Sequence, residues 1–149
     1  MSKADISSGG ESVLDAAYRM LRHRERSTSE VSERLEAAGF ADAERENAIE
    51  TLVRTGLLDD VRFAELRARS LAERGAGDAR IRHELRRTGI ASESIEDALE
   101  TVEPEADRAQ SVVLRRGPGL KTARFLHGKG FSEEIVAGVV AGGDGDELG

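Results

Sequence analysis

The sequence predicts an all-α protein, a tandem repeat of three three-helix modules forming an elongated or curved array. Three observations carry that prediction. Charged residues make up 34% of the 149-residue chain and prolines number only two, a composition that suits solvated helices. Apolar residues recur at spacings of three and four, as in Val31, Leu35 and Ala38 or Ile95, Ala98, Leu99 and Val102. No sustained two-residue alternation, and no Asn-Gly or Asp-Gly turn between apolar runs, marks a strand. Third, the chain repeats itself.

With Gly39 set on Gly89 and then on Gly130, the neighbouring residues fall into register. Leu35, Leu85 and Leu126 become equivalent, as do Phe40, Ile90 and Phe131, and further on Ile49, Leu99 and Val140. Upstream, Leu21, Leu71 and Val112 match, each followed by an arginine: Arg24, Arg74 and Arg115. Each module therefore reads as helix, short loop, helix, Gly, helix. The expected helices run over 11–25, 28–38 and 42–55, then 59–74, 78–88 and 92–102, then 105–116, 119–128 and 132–141. The modules occupy 11–56, 57–103 and 104–141. Residues 1–10, rich in Ser and Gly, and 142–149, rich in Gly and Asp, read as disordered tails.

Local punctuation supports these spans. Ser27 with Glu30 has capping-box spacing. Ser92 and Ser132 are placed to cap the third helices of their modules, and Asp59 the fourth helix of the chain. Each shared Gly suits the left-handed residue that ends a helix, with the apolar residue after it folding back on the last turn. Pro104 falls near a helix start, where a missing N–H costs little. A module of ~40 residues has little interior of its own, so neighbours are expected to stack.

Several functional classes drop out. With no cysteine there is no disulfide, thiolate catalysis or Cys-ligated metal. The N-terminus lacks the apolar core of a signal peptide, and no stretch approaches the ~18 apolar residues of a membrane span, so a cytoplasmic protein without membrane contact is expected. The run Gly75 to Arg80 lacks the third Gly, the preceding strand and the Lys-Ser/Thr of a nucleotide loop. His23, His83 and His127 stand without metal-ligand partners, and no Ser lies in a nucleophile motif. Neither catalysis nor a cofactor is expected.

Charge is segregated. The chain is acidic, with 22 Lys+Arg against 29 Asp+Glu, and the third helices carry the excess: segment 92–103 holds five acids and no base. Segments 19–26, 78–88 and 117–129 are net basic. On the helix over 78–88, Ile81 and Leu85 point one way, Arg80, His83 and Arg87 another, and Arg82 with Arg86 a third. Arg80, Arg82, Arg86 and Arg87, with Lys121, Arg124 and Lys129, are the candidate contact residues for a partner or nucleic acid. The bland alternative is a solvated face with local ion pairs, such as Glu84 with Arg80 or Arg87. A helix-turn-helix DNA reader is the rival class, but its recognition helix would be the acidic third helix, which phosphates repel.

The segment from Thr55 to Ile90 closely resembles the RecX family of recombinase regulators. The match runs through Gly56, Leu58, Asp59, Asp60, Arg62, Phe63, Ala64, Gly77, Arg80, Ile81, Glu84, Leu85, Gly89 and Ile90, and flanking segments extend it over residues 12–141. That resemblance implies tandem three-helix repeats and a protein that binds a RecA-type recombinase filament on DNA; a monomer is expected. Inhibition of ATP turnover and strand exchange would follow, modulating recombination and DNA repair. Given the chain's acidity, DNA is expected to be a secondary partner, weakly bound alone. Of the matched residues, Asp59, Asp60, Arg62 and Phe63 read first as structural, as cap and core anchor.

Overall fold

Ser27 shows how these helices begin. Its Oγ accepts from the Glu30 N–H at 3.1 Å while the Glu30 carboxylate accepts from the Ser27 N–H at 3.0 Å, so each side chain satisfies the other residue's otherwise orphaned backbone N–H. The computed structural model describes residues 10–148, with side chains as far as Gly142. Among the described residues there are nine helices and no strand: α1 (Val13–His23), α2 (Thr28–Ala37), α3 (Asp42–Arg54), α4 (Asp60–Glu73), α5 (Asp78–Arg87), α6 (Ser92–Glu100), α7 (Glu105–Arg116), α8 (Leu120–Gly128) and α9 (Glu133–Leu148). The all-α helical repeat is thus the observed fold.

Caps follow local chemistry. Ser12 Oγ accepts from Asp15 N–H at the start of α1, and Asp59 Oδ1 accepts from Arg62 N–H at the start of α4. Ser132 Oγ takes the Ile135 N–H at 3.4 Å. Ser92 differs from expectation: it is the first residue inside α6 rather than the cap before it. The segment 142–148 differs too, because α9 continues through it. No proline stops that helix, although each of its glycines weakens it by about 1 kcal/mol relative to Ala. The expected tail at 1–10 falls, except for Gly10, outside the described residues.

The repeat is legible in burial. Leu35, Leu85 and Leu126 are all fully buried, and Phe40, Ile90 and Phe131 lie within 5% of that state. Burying each such side chain contributes roughly 1.5–3 kcal/mol.

The chain forms two compact units. The first comprises the residues up to Ala64 together with Thr88–Ala91; the second comprises Glu65–Arg87 and Ser92 onward. The first unit has its core in Ala16, Ala17, Met20, Val31, Leu35, Phe40, Leu52 and Leu58. Within it, Ser27 Oγ donates to Thr88 O at 2.6 Å, and the Thr28 N–H at the start of α2 donates to Asp60 Oδ1 at 2.8 Å. Gly89, at φ +83°, sits so close to α2 that a Cβ there would stand 2.5 Å from Ser29 Cβ and nearer still to its Oγ.

The second unit contains α5 packed on α6, and a smaller core of Ala109, Val112, Leu126 and Phe131 with α9 across it. Here the Gly77 and Ala79 N–H groups donate to Lys129 O and Gly130 O at 2.8 and 3.1 Å. Gly130, at φ +91°, leaves a Cβ only 2.8 Å from both the Arg80 backbone N and Arg80 Cβ. Glu105 receives two helix starts: its Oε2 accepts from Asp78 N–H at 2.6 Å and its Oε1 from Ser132 N–H at 3.3 Å. A carboxylate at a helix N-terminus is stabilised by both the free N–H groups and the helix dipole.

Candidate functional site

The expected contact residues lie on α5 and α8, in the second unit, and they fare differently. On α5, Ile81 and Leu85 are buried, which fixes where the arginines point. Arg82 is half-buried and gives both Nε and Nη2 to Glu96, at 2.9 and 3.0 Å. Those hydrogen bonds raise the Arg82 pKa above its ordinary value and lower that of Glu96. Arg87 donates to Glu84 at 2.9 Å, and Arg67 approaches the same carboxylate at 3.7 Å. The hydrogen bond from Arg87 leads the causes that hold the Glu84 carboxyl below its usual range. Arg82 and Arg87 therefore have much of their charge answered within the chain.

Arg80 and Arg86 are exposed. Arg80 Nη2 donates to Gly128 O at 2.9 Å, which anchors the side chain without neutralising it. With His83, Glu84 and His127 it lines an open cleft of about 510 Å³. Arg86 forms no ion pair among the described residues. On α8, Thr122, Ala123 and Leu126 face the core, which turns Lys121 and Arg124 to solvent. Lys129 caps α8 and is half-buried, with its Cε beside Gly75. The fold thus gathers Arg80 and Lys129 around the α5–α8 joint and diverts Arg82 onto α6.

The matched motif residues have structural partners. Asp59 caps α4 and Asp60 takes the α2 N–H, as described above. Arg62 donates to Glu25 Oε1 at 2.7 Å, Gly56 O at 3.0 Å and Leu57 O at 3.3 Å. Its pKa is raised, chiefly by the hydrogen bond to Glu25. Phe63 is buried.

One functional arrangement was not legible in advance. Arg108, buried on α7, donates from Nη1 to Ala76 O and from Nε to Glu103 O, at 2.6 and 2.8 Å. Its Nη2 donates to the Asp78 carboxylate through a very short hydrogen bond, and its guanidinium lies over the Phe131 ring at 5.7 Å. Burial pushes the Asp78 carboxyl up, partly offset by Arg108. The signal available in sequence was an arginine amid the apolar spacing of Ala109 and Val112. Among the described residues no three His, Asp or Glu side chains gather as a metal site requires. No helix among them is long and apolar enough to cross a membrane.

Small three-helix modules in tandem, with cations exposed on α5 and α8, define a helical-repeat protein. The comparisons make the class specific. Residues 14–52 match the model of the RecX first three-helix domain and residues 59–99 that of the second. The chain is 38% identical to the regulatory protein RecX of Halorhodospira halophila, over 99% of this chain and 96% of that protein. It is 36% identical to the RecX of Chromohalobacter salexigens, over 85% and 90%. The fold is similar to that of the RecX crystal structure from Lactobacillus salivarius, with a TM-score of 0.75, 23% identity, and 95% and 98% of the two chains covered. The chain belongs to the RecX family and has a regulatory role.

Proposed function

We propose that this protein binds a RecA-type recombinase filament on DNA and suppresses its ATP turnover and strand exchange, acting by occupancy rather than catalysis in the cytoplasm. Family membership supplies the class of partner. The observation that carries the reading for this chain is the outward-facing set Arg80, Arg86, Lys121 and Arg124, which forms no ion pair with a carboxylate among the described residues. Cations so placed suit filament carboxylates or DNA phosphates. Arg82 and Arg87 serve mainly to hold α5 in place, and Lys129 borders the joint. The acidic α6, with Glu93, Glu96, Asp97 and Glu100, disfavours a solitary duplex reader, since it would be repelled from a groove.

The test is recombinase ATP turnover on single-stranded DNA, titrated with this protein, beside DNA binding by the protein alone. Inhibition at or below one protein per recombinase with weak DNA binding is the expected result. Strong, salt-steep duplex binding without inhibition would favour the DNA-reader alternative.

A further inference from the structure

The arginine near the end of each module's first helix stays in register as Arg24, Arg74 and Arg115. In the first module it is neutralised locally, with Arg24 Nη2 at 3.2 Å from Glu30 Oε2. The residues in register with Glu30 are Arg80 and Lys121, so the later copies have exchanged that acid for a base. Arg74 and Arg115 form no ion pair among the described residues.

Within the second unit these two arginines line one cleft of about 290 Å³, with Arg116, Phe125 and Glu73. Arg116 lies over the Phe125 ring, its guanidinium carbon 3.5 Å from the centroid. Lys129 reaches the rim, its Cε beside Gly75. A helix C-terminus explains a lone cation at the end of α4 or α7. It does not explain three guanidinium groups around one concavity with Glu73 as the lone acid in the lining.

We propose that this cleft binds a nucleoside phosphate unit. Arg74 and Arg115 hold the phosphate, and the base lies against the Arg116–Phe125 stack. Planar guanidinium forks match phosphate oxygens two at a time. An arginine stacked on an aromatic ring offers a flat platform that accepts any base. The cleft sits near the roughly 300 Å³ lower end of small-ligand sites, which suits one unit rather than several. Such a unit comes either as a free nucleotide or as one link of a single strand. The assignment goes beyond the filament reading and does not depend on it.

The test uses the full chain, with a fluorescent adenosine monophosphate and a fluorescein-labelled oligothymidylate as probes, and inorganic phosphate and polyglutamate as competitors. At least one probe binds, and Arg74→Ala and Arg115→Ala each weaken it about tenfold. The control Arg54→Ala, on the exposed end of α3, leaves binding unchanged. Phe125→Leu lowers affinity for the probe but not competition by phosphate; Arg116→Gln gives the same split should Phe125→Leu impair folding. Binding of both probes identifies free nucleotide as a sufficient ligand, and binding of the oligomer alone identifies the strand; either supports the site. No binding of either probe, wild-type binding by both arginine variants, or displacement by polyglutamate but not phosphate overturns it.

Discussion

Ser27 Oγ on Thr88 O in the first unit and Gly77 N–H on Lys129 O in the second are the same joint built twice. In both, the loop before a second helix meets the Gly turn of the following module, and an acid at the start of the following module takes the helix N–H. The chemistry nevertheless differs. The first joint is made by a hydroxyl, and what crowds Gly89 is the side chain of Ser29. The second is made backbone to backbone, with Gly130 against the Arg80 main chain and the buried Arg108–Asp78 pair beneath. The cations differ at one register. Among the described residues each unit pairs four arginines with carboxylates, Arg19, Arg24, Arg45 and Arg62 in the first and Arg67, Arg82, Arg87 and Arg108 in the second. The acid that holds Arg24, Glu30, is replaced in the later copies by Arg80 and Lys121, and there Arg74 and Arg115 form no ion pair among the described residues. A repeated scaffold has thus kept its joints and changed its surface.

The largest effect is expected at the second joint. Asp78→Ala leaves the buried Arg108 guanidinium without its partner and removes about 3 kcal/mol of stability in urea unfolding. Asp78→Ala combined with Arg108→Met, which removes both charges, costs less than Asp78→Ala alone. The glycines separate the joints next. Gly89→Ala and Gly130→Ala each cost about 2–4 kcal/mol, from positive φ and overlap together. Ser29→Gly rescues much of the Gly89→Ala loss, because the clashing atoms belong to the Ser29 side chain. Arg80→Gly does not rescue Gly130→Ala, because the Arg80 backbone N remains at 2.8 Å. Equal rescue at both would erase the distinction.

Ser27→Ala loses a helix cap and the bond to Thr88 O, lowering stability by about 1–2 kcal/mol. The smallest effect belongs to the solvent-accessible Arg82–Glu96 pair, half-buried on the Arg82 side, where Arg82→Gln costs about 0.5 kcal/mol. Its pH sign is fixed. Glu96 has a folded pKa below its ordinary 4.5, so the pair's contribution is full above that value and disappears as pH falls through the folded one. The melting temperature of Arg82→Gln therefore converges on wild type in acid.

Sequence periodicity revealed what is local. Helix spans agree to within a few residues away from the termini, and Gly39, Gly89 and Gly130 all have positive φ. The pairing of Glu84 with Arg87 was likewise visible at a spacing of three. What escaped was long-range. Arg82 finds Glu96 fourteen residues on, and Glu105 serves Asp78 and Ser132, each 27 away. No helical period encodes such partners, because they depend on how loops close on neighbouring modules. The same holds for the α5 arginines: helical angles separated Arg82 from Arg80, but only the packing of α6 shows which one is occupied.

The most direct test of the account compares inhibition of recombinase ATP turnover by two sets of charge reversals. Arg86→Glu, Lys121→Glu and Arg124→Glu together alter the second unit, and Arg22→Glu with Arg54→Glu alters exposed arginines of the first. The second-unit set is expected to weaken inhibition at least tenfold and to make its salt dependence shallower, while the first-unit set inhibits as wild type does. Undiminished inhibition by the second-unit set, with loss in the first-unit set, would contradict it.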